Sequence, residues 1–341
     1  MAHHLSSSSP LRVEERELVR QLQLARQLFE ELGGSLPPAH VDPAQVYSAL
    51  DVGCGAGGWV LDVAHTYPHM QVTGIDTSEP CIAYARRLAE EGDLSNAHFV
   101  VQDMRSLEED GFPLDAFDLI HMAFLASTLL TTDYPALLRT LFRLCRSGGM
   151  VCWTEMEFPI TTSPAFEHLT ALICRALQAA GHSFVPPSLQ ELAALFVCRR
   201  GETGQLGQPD ERRHLGITPM MGSWFRASGY QQVQHLPAAI EVSTGTGAHP
   251  CFVRQVEVFG QQIRAFLLEQ QVISKNACER LLFQVLDEVQ QETFCGLCFV
   301  LTTCAHKPLL QRFAEVLNPH NMYWWAKWSL SRRAQYFWQP L

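Results

Sequence analysis

The sequence predicts an α/β fold built on a doubly wound, mostly parallel sheet of seven strands that ends in an antiparallel hairpin. Short apolar runs typical of buried strands alternate with amphipathic segments of helical length through the first half of the chain. A glycine-rich turn follows the first of these strands. Two helical insertions interrupt the alternation later, and strand patterns resume after each. This order predicts βαβ units whose sheet is covered by helices on both faces.

The first half of the chain supplies five strands and four helices. Apolar residues at helical spacing predict a helix over Glu14–Leu32, which Gly33 and Gly34 end. The next predicted strands are Tyr47–Val52, Gln71–Ile75, Ala97–Val101, Phe117–Met122 and Gly149–Thr154, and the helices are Gly58–Thr66, Glu79–Glu90 and Tyr134–Arg146. Asp118, at the start of the fourth strand, is expected to have a structural role.

The second half of the chain is predicted to be mostly helical. The predicted elements are helices over Pro164–Ala180 and Ser188–Arg199, a loop over Gly201–Pro209, a helix over Thr218–Ser228, a strand over Val233–Val242, a helical insertion over 248–293 and a strand over Phe294–Ala305. Connections that leave the carboxyl ends of parallel strands lie over the ligand-binding edge of the sheet. The insertions are therefore expected to form a helical lid.

The predicted domain organisation has six parts. They are a disordered leader (1–10), an N-terminal helical cap (11–46), a core (47–157), a helical lid insertion (158–217), the end of the core sheet with its second insertion at 248–293 (218–307), and an aromatic-rich extension (308–341). Four of the seven tryptophans fall in the last 18 residues. We expect this extension to dock on the core or to form a contact in a homodimer.

Composition disfavours several classes of function. The formal net charge is −10, whereas proteins that grip nucleic acid are usually basic. No apolar run reaches the roughly 18 to 20 residues of a membrane span, so no membrane partner is expected. Eleven scattered cysteines suggest reduced thiols in a cytoplasmic protein. Cys295 and Cys298, the one suggestive pair, are interpreted as part of a strand, and no metal site is predicted.

The glycine-rich turn carries the chemistry. Leu50-Asp51-Val52-Gly53-Cys54-Gly55-Ala56-Gly57-Gly58-Trp59 places glycines between a strand and a helix, where the backbone can approach a ligand closely. Gly53, Gly55 and Gly58 also satisfy the fingerprint of a dinucleotide site. Asp51 argues against that alternative, because a carboxylate repels a pyrophosphate but attracts an ammonium group. Asp76 and Asp103 follow the second and third strands and face the same edge.

These motifs resemble those of the class I methyltransferases, Rossmann-like proteins that use S-adenosylmethionine. The resemblance implies that Gly53, Gly55 and Gly57 line the methionine part of the cofactor, with Asp51 near its ammonium group. It implies that Asp76, with Thr77 beside it, takes the ribose hydroxyls. Asp103 and the backbone of Met104 would hold the adenine, next to Gln102. The segment from His121 through Met122 to Phe124 would border the sulfonium.

The substrate is predicted to be a small, largely apolar or aromatic molecule, because a large lid encloses a small ligand and excludes water. Methyl transfer needs positioning, and a base when the nucleophile carries a proton. The candidate bases are His121, Glu155 and Glu157. Secondary metabolism is the expected setting.

Three alternatives stay open at this point. The chain could bind S-adenosylmethionine and catalyse a reaction without methylation, such as a cyclisation, or serve as an interaction module. It could be an NAD-dependent oxidoreductase. Nucleic-acid methylation is weakened further because His121-Met122-Ala123-Phe124 stands where such enzymes carry an Asn/Asp-Pro-Pro-aromatic motif.

Overall fold

The computed structural model describes residues 10–37, 41–107, 111–126, 128–182 and 216–309, with side chains from residue 17 onward. The chain divides into two compact units, Met1–Lys307 and Pro308–Leu341. All the described helices and strands belong to the first unit. The predicted leader up to residue 9, the helix over Ser188–Arg199, the loop over Gly201–Pro209 and the aromatic part of the extension lie outside the described residues.

The strands form one mixed sheet with the order β3-β2-β1-β4-β5-β8-β6, and β7 also pairs with β8. They are β1 (Ser48–Val52), β2 (Gln71–Asp76), β3 (Ala97–Val101), β4 (Phe117–Ala123), β5 (Cys145–Met156), β6 (Ile160–Thr161), β7 (Gln231–Glu241) and β8 (Gly296–His306). Strands β1 to β5 pair in parallel, and β8 runs antiparallel to its three neighbours. The predicted doubly wound sheet with its antiparallel hairpin is therefore confirmed, and β6, too short to leave a sequence pattern, is an addition.

The described helices lie between these strands. They are α1 (Pro10–Leu32), α2 (Gly58–Thr66), α3 (Glu79–Glu91), α4 (Tyr134–Leu144), α5 (Pro164–Ala179), α6 (Thr218–Ala227), α7 (His249–Glu269) and α8 (Lys275–Val289). Among the described residues, no helix is both long enough and apolar enough to cross a bilayer. Helix α5 packs against α7 and α8, so the two insertions meet each other.

The boundary between α4 and β5 differs from the prediction. The helix ends at Leu144 rather than Arg146, and the strand begins at once with Cys145 rather than at Gly149. Cys145 has extended backbone angles and pairs with Phe117 of β4, which the helical pattern of apolar residues does not reveal. Gly148 has a φ of +81° beside this irregular start of the strand.

The sheet is buried on both faces. One face carries Ala49, Val72 and Leu119 against α2 and α3, and the other carries Leu50, Ile120 and Val151 against the later helices. Alternation along each strand sends neighbouring side chains to opposite faces. Any side chain at the carboxyl edge is therefore assigned to one face by its position in the strand.

Asp118 anchors the start of the sheet. Its Oδ2 accepts hydrogen bonds from the backbone N–H groups of Tyr47, at 2.6 Å, and Ser48, at 3.0 Å. The Arg146 guanidinium forms an ion pair with the other carboxylate oxygen. Asp118 thus joins the entry of β1 to β4 and β5, and the structural role expected for it is confirmed.

Candidate functional site

The glycine-rich turn leaves β1 with three residues in the left-handed region. The φ angles of Gly53, Gly55 and Gly57 are +75°, +53° and +84°. A side chain at any of these positions would be strained, which explains why glycine stands at each. The backbone N–H groups of Gly53 and Cys54 both donate to the carbonyl of Ile75, at 2.9 Å. The turn is therefore held against the end of β2.

Asp76 makes the second connection between β2 and the turn. Its Oδ2 accepts a hydrogen bond from the Gly55 backbone N–H at 2.9 Å, and its Oδ1 accepts one from the Ser78 N–H at 2.8 Å. The residue is half-buried, and Thr77 beside it is exposed. Carboxylate oxygens can accept more than one hydrogen bond each, so Asp76 keeps acceptor capacity at the edge of the sheet.

Helix α1 lies over the turn. A Cβ built on Gly58 would stand 2.8 Å from the Ala25 Cβ, and one on Gly55 would stand 3.5 Å from the Gln21 side-chain oxygen. On the other side, a Cβ on Gly57 would meet Ala85 and Phe99 at 2.8 Å. Glycine is therefore required here by close packing as well as by backbone angle.

Behind the turn, Asp51 and His121 form a buried pair. They are register partners on the parallel strands β1 and β4. The His121 Nδ1 lies 2.7 Å from the Asp51 Oδ1, and the two residues are 8% and 3% exposed. Trp59 stacks on the His121 ring with centroids 4.5 Å apart and planes 2° apart, and its indole N–H donates to the Ser35 carbonyl. The imidazole orientation is therefore fixed on two sides.

His121 also lines a cavity of about 220 Å³, called here the smaller cavity. Its floor consists of side chains from β4, β5 and β8, among them Thr154 and Thr302, whose hydroxyls lie 2.8 Å apart. Its roof comes from the end of α1 and residues 34–37, and one side comes from Leu236 to Ala238 of β7. An imidazole ring held by a carboxylate thus faces this cavity.

A larger cavity of about 390 Å³, called here the larger cavity, lies between α1, α5 and α7. Phe124 and Leu28 line both cavities, so the two spaces adjoin at the end of β4. Phe124 has a φ of +55°, which is uncommon for an aromatic residue. Its neighbour Leu125 packs against the glycine turn, because a Cβ on Gly53 would stand 2.8 Å from the Leu125 side chain.

Three further predicted cofactor residues lie just beyond β3. The Asp103 Oδ1 accepts hydrogen bonds from the Arg105 backbone N–H at 2.9 Å and from its Nε at 3.1 Å. The Gln102 side-chain amide donates to the Ser106 hydroxyl at 3.1 Å. Met104 is buried, with its methyl 3.5 Å from a Cβ built on Gly53. This segment therefore adjoins the glycine turn, although Asp103 also forms an ion pair with Arg105.

The side chain of Met122 does not lie with the other predicted cofactor residues. It is fully buried in the core on the face opposite to His121, beside Val52 and Trp153. Only its backbone lies near the edge of the sheet.

Glu155 and Glu157 occupy other surroundings than His121. Glu155 is 1% exposed, on the opposite face of β5 from Thr154, and lines neither cavity among those described. Burial raises its pKa to about 7. Glu157 lies beyond β5 and accepts hydrogen bonds from the Thr218 backbone N–H, at 3.2 Å, and hydroxyl, at 2.9 Å. Of the three candidate bases, the structure brings His121 alone to a described cavity.

The hydrogen-bond acceptors at this edge of the sheet fit the cofactor that the resemblance implies. Carboxylates stand at the end of β1, at the end of β2 and after β3, around a turn of left-handed glycines. A ligand rich in hydrogen-bond donors, with an ammonium, two hydroxyls and an aromatic amine, complements these acceptors. A pyrophosphate does not, because the three carboxylates would repel it.

No metal cluster occurs in the described ranges. No group of three or more potential ligands is found there, and the ten cysteines described are all free. Cys298 lies buried in β8 with Cys304, as the interpretation of this segment as a strand predicted, but Cys295 precedes the strand and is exposed, so that part of the prediction was wrong.

Sequence reasoning missed several residues that line the cavities. Thr154 and Thr302 carry no motif, and only the register between β5 and β8 brings them together. Gln27 and Gln255 lie on helices that are distant in sequence. The alternation along β4 and β5 was the one available signal, because it places His121 and Thr154 on faces that the register then unites.

Comparison with known proteins identifies the central segment. Residues 49–149 match the model of a family described as a methyltransferase domain. The secondary metabolism regulator laeA of Coprinopsis cinerea is 27% identical over 160 residues, which cover 44% of this chain and 36% of that protein. The demethylmenaquinone methyltransferase of Thermus thermophilus is 33% identical over 121 residues, which cover 34% of this chain and 50% of that protein.

Among solved structures, phosphoethanolamine N-methyltransferase 2 of Haemonchus contortus with bound S-adenosyl-L-methionine matches with a TM-score of 0.40 and 18% identity. The match covers 77% of this chain and 49% of that one. The chain spans about half or less of the length of these curated relatives.

Proposed function

We propose that the chain, whose residues 49–149 match the model of a methyltransferase domain, transfers a methyl group from S-adenosylmethionine to a small, largely apolar molecule. The family match and the carboxylates around the glycine turn support the choice of cofactor. The observation that carries the proposal is the junction at Phe124. There two cavities meet, one containing His121 and the other lined mostly by apolar side chains, and the next residue, Leu125, packs against Gly53 of the glycine turn.

The proposed cofactor contacts follow the edge of the sheet. The glycine turn provides a surface without side chains for the methionine part. The Asp51 Oδ1 is paired with His121, so Asp51 would contact the methionine ammonium through its Oδ2. Asp76 would accept from the ribose hydroxyls while it holds Gly55. Asp103 and Gln102 would contact the adenine. The bound cofactor supplies an electrophilic methyl group on a sulfonium.

His121 is the proposed base for an acceptor that carries a proton. With the cofactor bound, the His121 Nε2 would accept the proton that the acceptor O–H or N–H releases when it takes up the methyl group. Asp51 fixes the ring through Nδ1 and stabilises the cation that forms, and Trp59 holds its plane. An acceptor without a proton, such as a tertiary amine, needs positioning only.

The proposed setting is a reducing compartment such as the cytoplasm, because the ten described cysteines are unpaired. A role in secondary metabolism is part of the proposal, in keeping with the printed name of the Coprinopsis relative.

Transfer of a labelled methyl group tests the function. The full chain would be incubated with methyl-tritiated S-adenosylmethionine and a panel of neutral aromatic and prenylated alcohols, phenols and amines. We expect label in the organic extract and an equal amount of S-adenosylhomocysteine. At a limiting cofactor concentration, Asp76→Asn should lower the transfer by about 10- to 100-fold, and the exposed variant Glu91→Gln should retain it. Conversion of a panel compound without incorporation of label would instead indicate a non-methylating reaction.

A further inference from the structure

The larger cavity offers a ligand almost no polar contact. It is bordered by apolar side chains of α1, α5 and α7, and no charged residue is among those described as lining it. The amide and hydroxyl side chains in its wall are those of Gln27, Thr170 and Gln255. Because burying an unpaired charge is costly, such a space accepts neutral ligands and rejects ionised ones.

Two of these three polar side chains already have partners in the protein. The Thr170 hydroxyl donates to the Glu167 carbonyl of its own helix at 3.0 Å. The Gln255 side-chain oxygen accepts from Arg20 of α1. Gln27 is therefore the main polar group left to the cavity. The ligand body that fits this wall is a hydrocarbon.

A polar network joins α1 and α7 at Gln255, one of the residues that line the larger cavity. Arg20 contacts both Glu17 on its own helix and Gln255 on α7. Glu17 also accepts a hydrogen bond from Gln262 of α7 at 3.4 Å. Beside Gln255, this network holds the two helices together. The smaller cavity adjoins the larger one at Phe124 and Leu28 and contains the polar side chains of His121, Thr154 and Thr302. A polar group on a ligand is therefore directed toward the smaller cavity.

We propose that the acceptor is a neutral amphiphile, with a hydrocarbon body in the larger cavity and its nucleophilic O–H or N–H end directed past Phe124 toward His121. This inference rests on the proposed function for the identity of the reaction. It goes further in naming the acceptor class and its orientation. A flat polar acceptor or a charged metabolite would find almost no hydrogen-bonding or ionic partner in the larger cavity.

A series of ligands with different alkyl lengths tests the acceptor class. The full-length protein is first saturated with S-adenosylhomocysteine. Calorimetry would compare 1-octanol, 1-decanol and decanoate. Each pair of methylenes buried from water should tighten binding by roughly tenfold, so 1-decanol should bind about ten times more tightly than 1-octanol. Decanoate should bind at least about tenfold more weakly than 1-decanol, because the described linings of both cavities contain no lysine or arginine to pair with its carboxylate.

Substitutions that fill the cavity test whether 1-decanol binds in the larger cavity. Ala248→Trp fills the larger cavity and should weaken 1-decanol binding by at least about tenfold. Cys251→Phe, at a half-buried position on the same wall, serves as a second filling variant that is easier to accommodate. Ala83→Trp, at an exposed position of α3 that lines neither of the two cavities, is the matched control and should change this affinity less than about threefold.

The outcomes separate the two proposals, because S-adenosylhomocysteine is titrated first. Absence of that binding would overturn the proposed function. Three results, each with S-adenosylhomocysteine bound, would overturn only the amphiphile assignment. They are equal affinities for the two alcohols, an affinity for decanoate that matches that for 1-decanol, and unchanged 1-decanol binding in both Ala248→Trp and Cys251→Phe.

Discussion

The carboxylate of Glu155 accepts a hydrogen bond from the backbone N–H of Leu125 at 2.8 Å, inside the core of the protein. The same oxygen accepts the indole N–H of Trp153 at 3.0 Å. Leu125 follows Phe124, whose own N–H donates to the Thr154 carbonyl at 3.0 Å and whose backbone is left-handed. The left-handed backbone of a residue other than glycine costs about 1–3 kcal/mol and persists only when its surroundings hold it. Glu155 therefore fixes the turn that places Phe124 between the two cavities.

Removing this acceptor should destabilise the fold. Glu155→Leu leaves the N–H groups of Leu125 and Trp153 buried without a partner, at a cost of about 1–3 kcal/mol each. Glu155→Gln keeps a side-chain oxygen at the same length and should cost much less. Urea unfolding at pH 5 measures both variants. Equal stabilities of the Leu and Gln variants would contradict the role of Glu155 in holding the turn.

The pH dependence of stability should change in Glu155→Gln. Burial raises the pKa of Glu155 from 4.5 to about 7, so the folded state holds this proton more tightly than the unfolded state. The stability that this difference provides is present below pH 4.5 and is lost as the pH rises through 7, by about 3 kcal/mol. The glutamine variant does not titrate. Its free energy of unfolding relative to the wild type should therefore rise between pH 4 and pH 8, and a constant difference would contradict the assigned pKa direction.

The glycine turn allows a matched comparison of two substitutions. Gly57 and Gly33 have almost the same φ, +84° and +83°, but a Cβ on Gly57 meets Ala85 and Phe99, whereas one on Gly33 meets nothing within 4 Å. Gly33→Ala should therefore cost about 1–2 kcal/mol from backbone strain alone. Gly57→Ala should cost about 1–3 kcal/mol more from overpacking. Urea unfolding compares them, and equal losses would show that packing at the turn is not tight.

The Asp51–His121 pair should separate binding from transfer. In His121→Asn the side-chain amide can still donate to Asp51, whereas the nitrogen toward the smaller cavity is lost. For an acceptor whose nucleophilic O–H or N–H must lose its proton, the rate of methyl transfer should fall by about 10²- to 10⁴-fold. The affinity for S-adenosylhomocysteine should change less than about threefold. Unchanged transfer in the labelled-methyl assay would exclude His121 as the base.

The repeating parts of the fold were accessible from the sequence for clear physical reasons. Buried parallel strands are short apolar runs, and the turn after β1 needs glycines because its backbone is left-handed. Both signals are local. The order of strands and the antiparallel end of the sheet followed from them together with the class I resemblance.

Contacts made across the sheet were not accessible in the same way. The pairing of Asp51 with His121 depends on the register of β1 and β4, and the inward position of Glu155 depends on which face of β5 is covered. The left-handed backbone of Phe124 has no composition signal, since an aromatic residue is a poor match for it. The larger cavity requires three helices from distant parts of the chain.

Calorimetric titration with S-adenosylhomocysteine tests the account most directly. The wild type should bind it and should not bind NAD. Asp76→Asn should weaken binding by about 10- to 100-fold, the loss expected for charge-assisted hydrogen bonds, and the exposed control Asp287→Asn should match the wild type. Binding of NAD without binding of S-adenosylhomocysteine would contradict the assignment of the glycine turn and its carboxylates to a methyl-donor site.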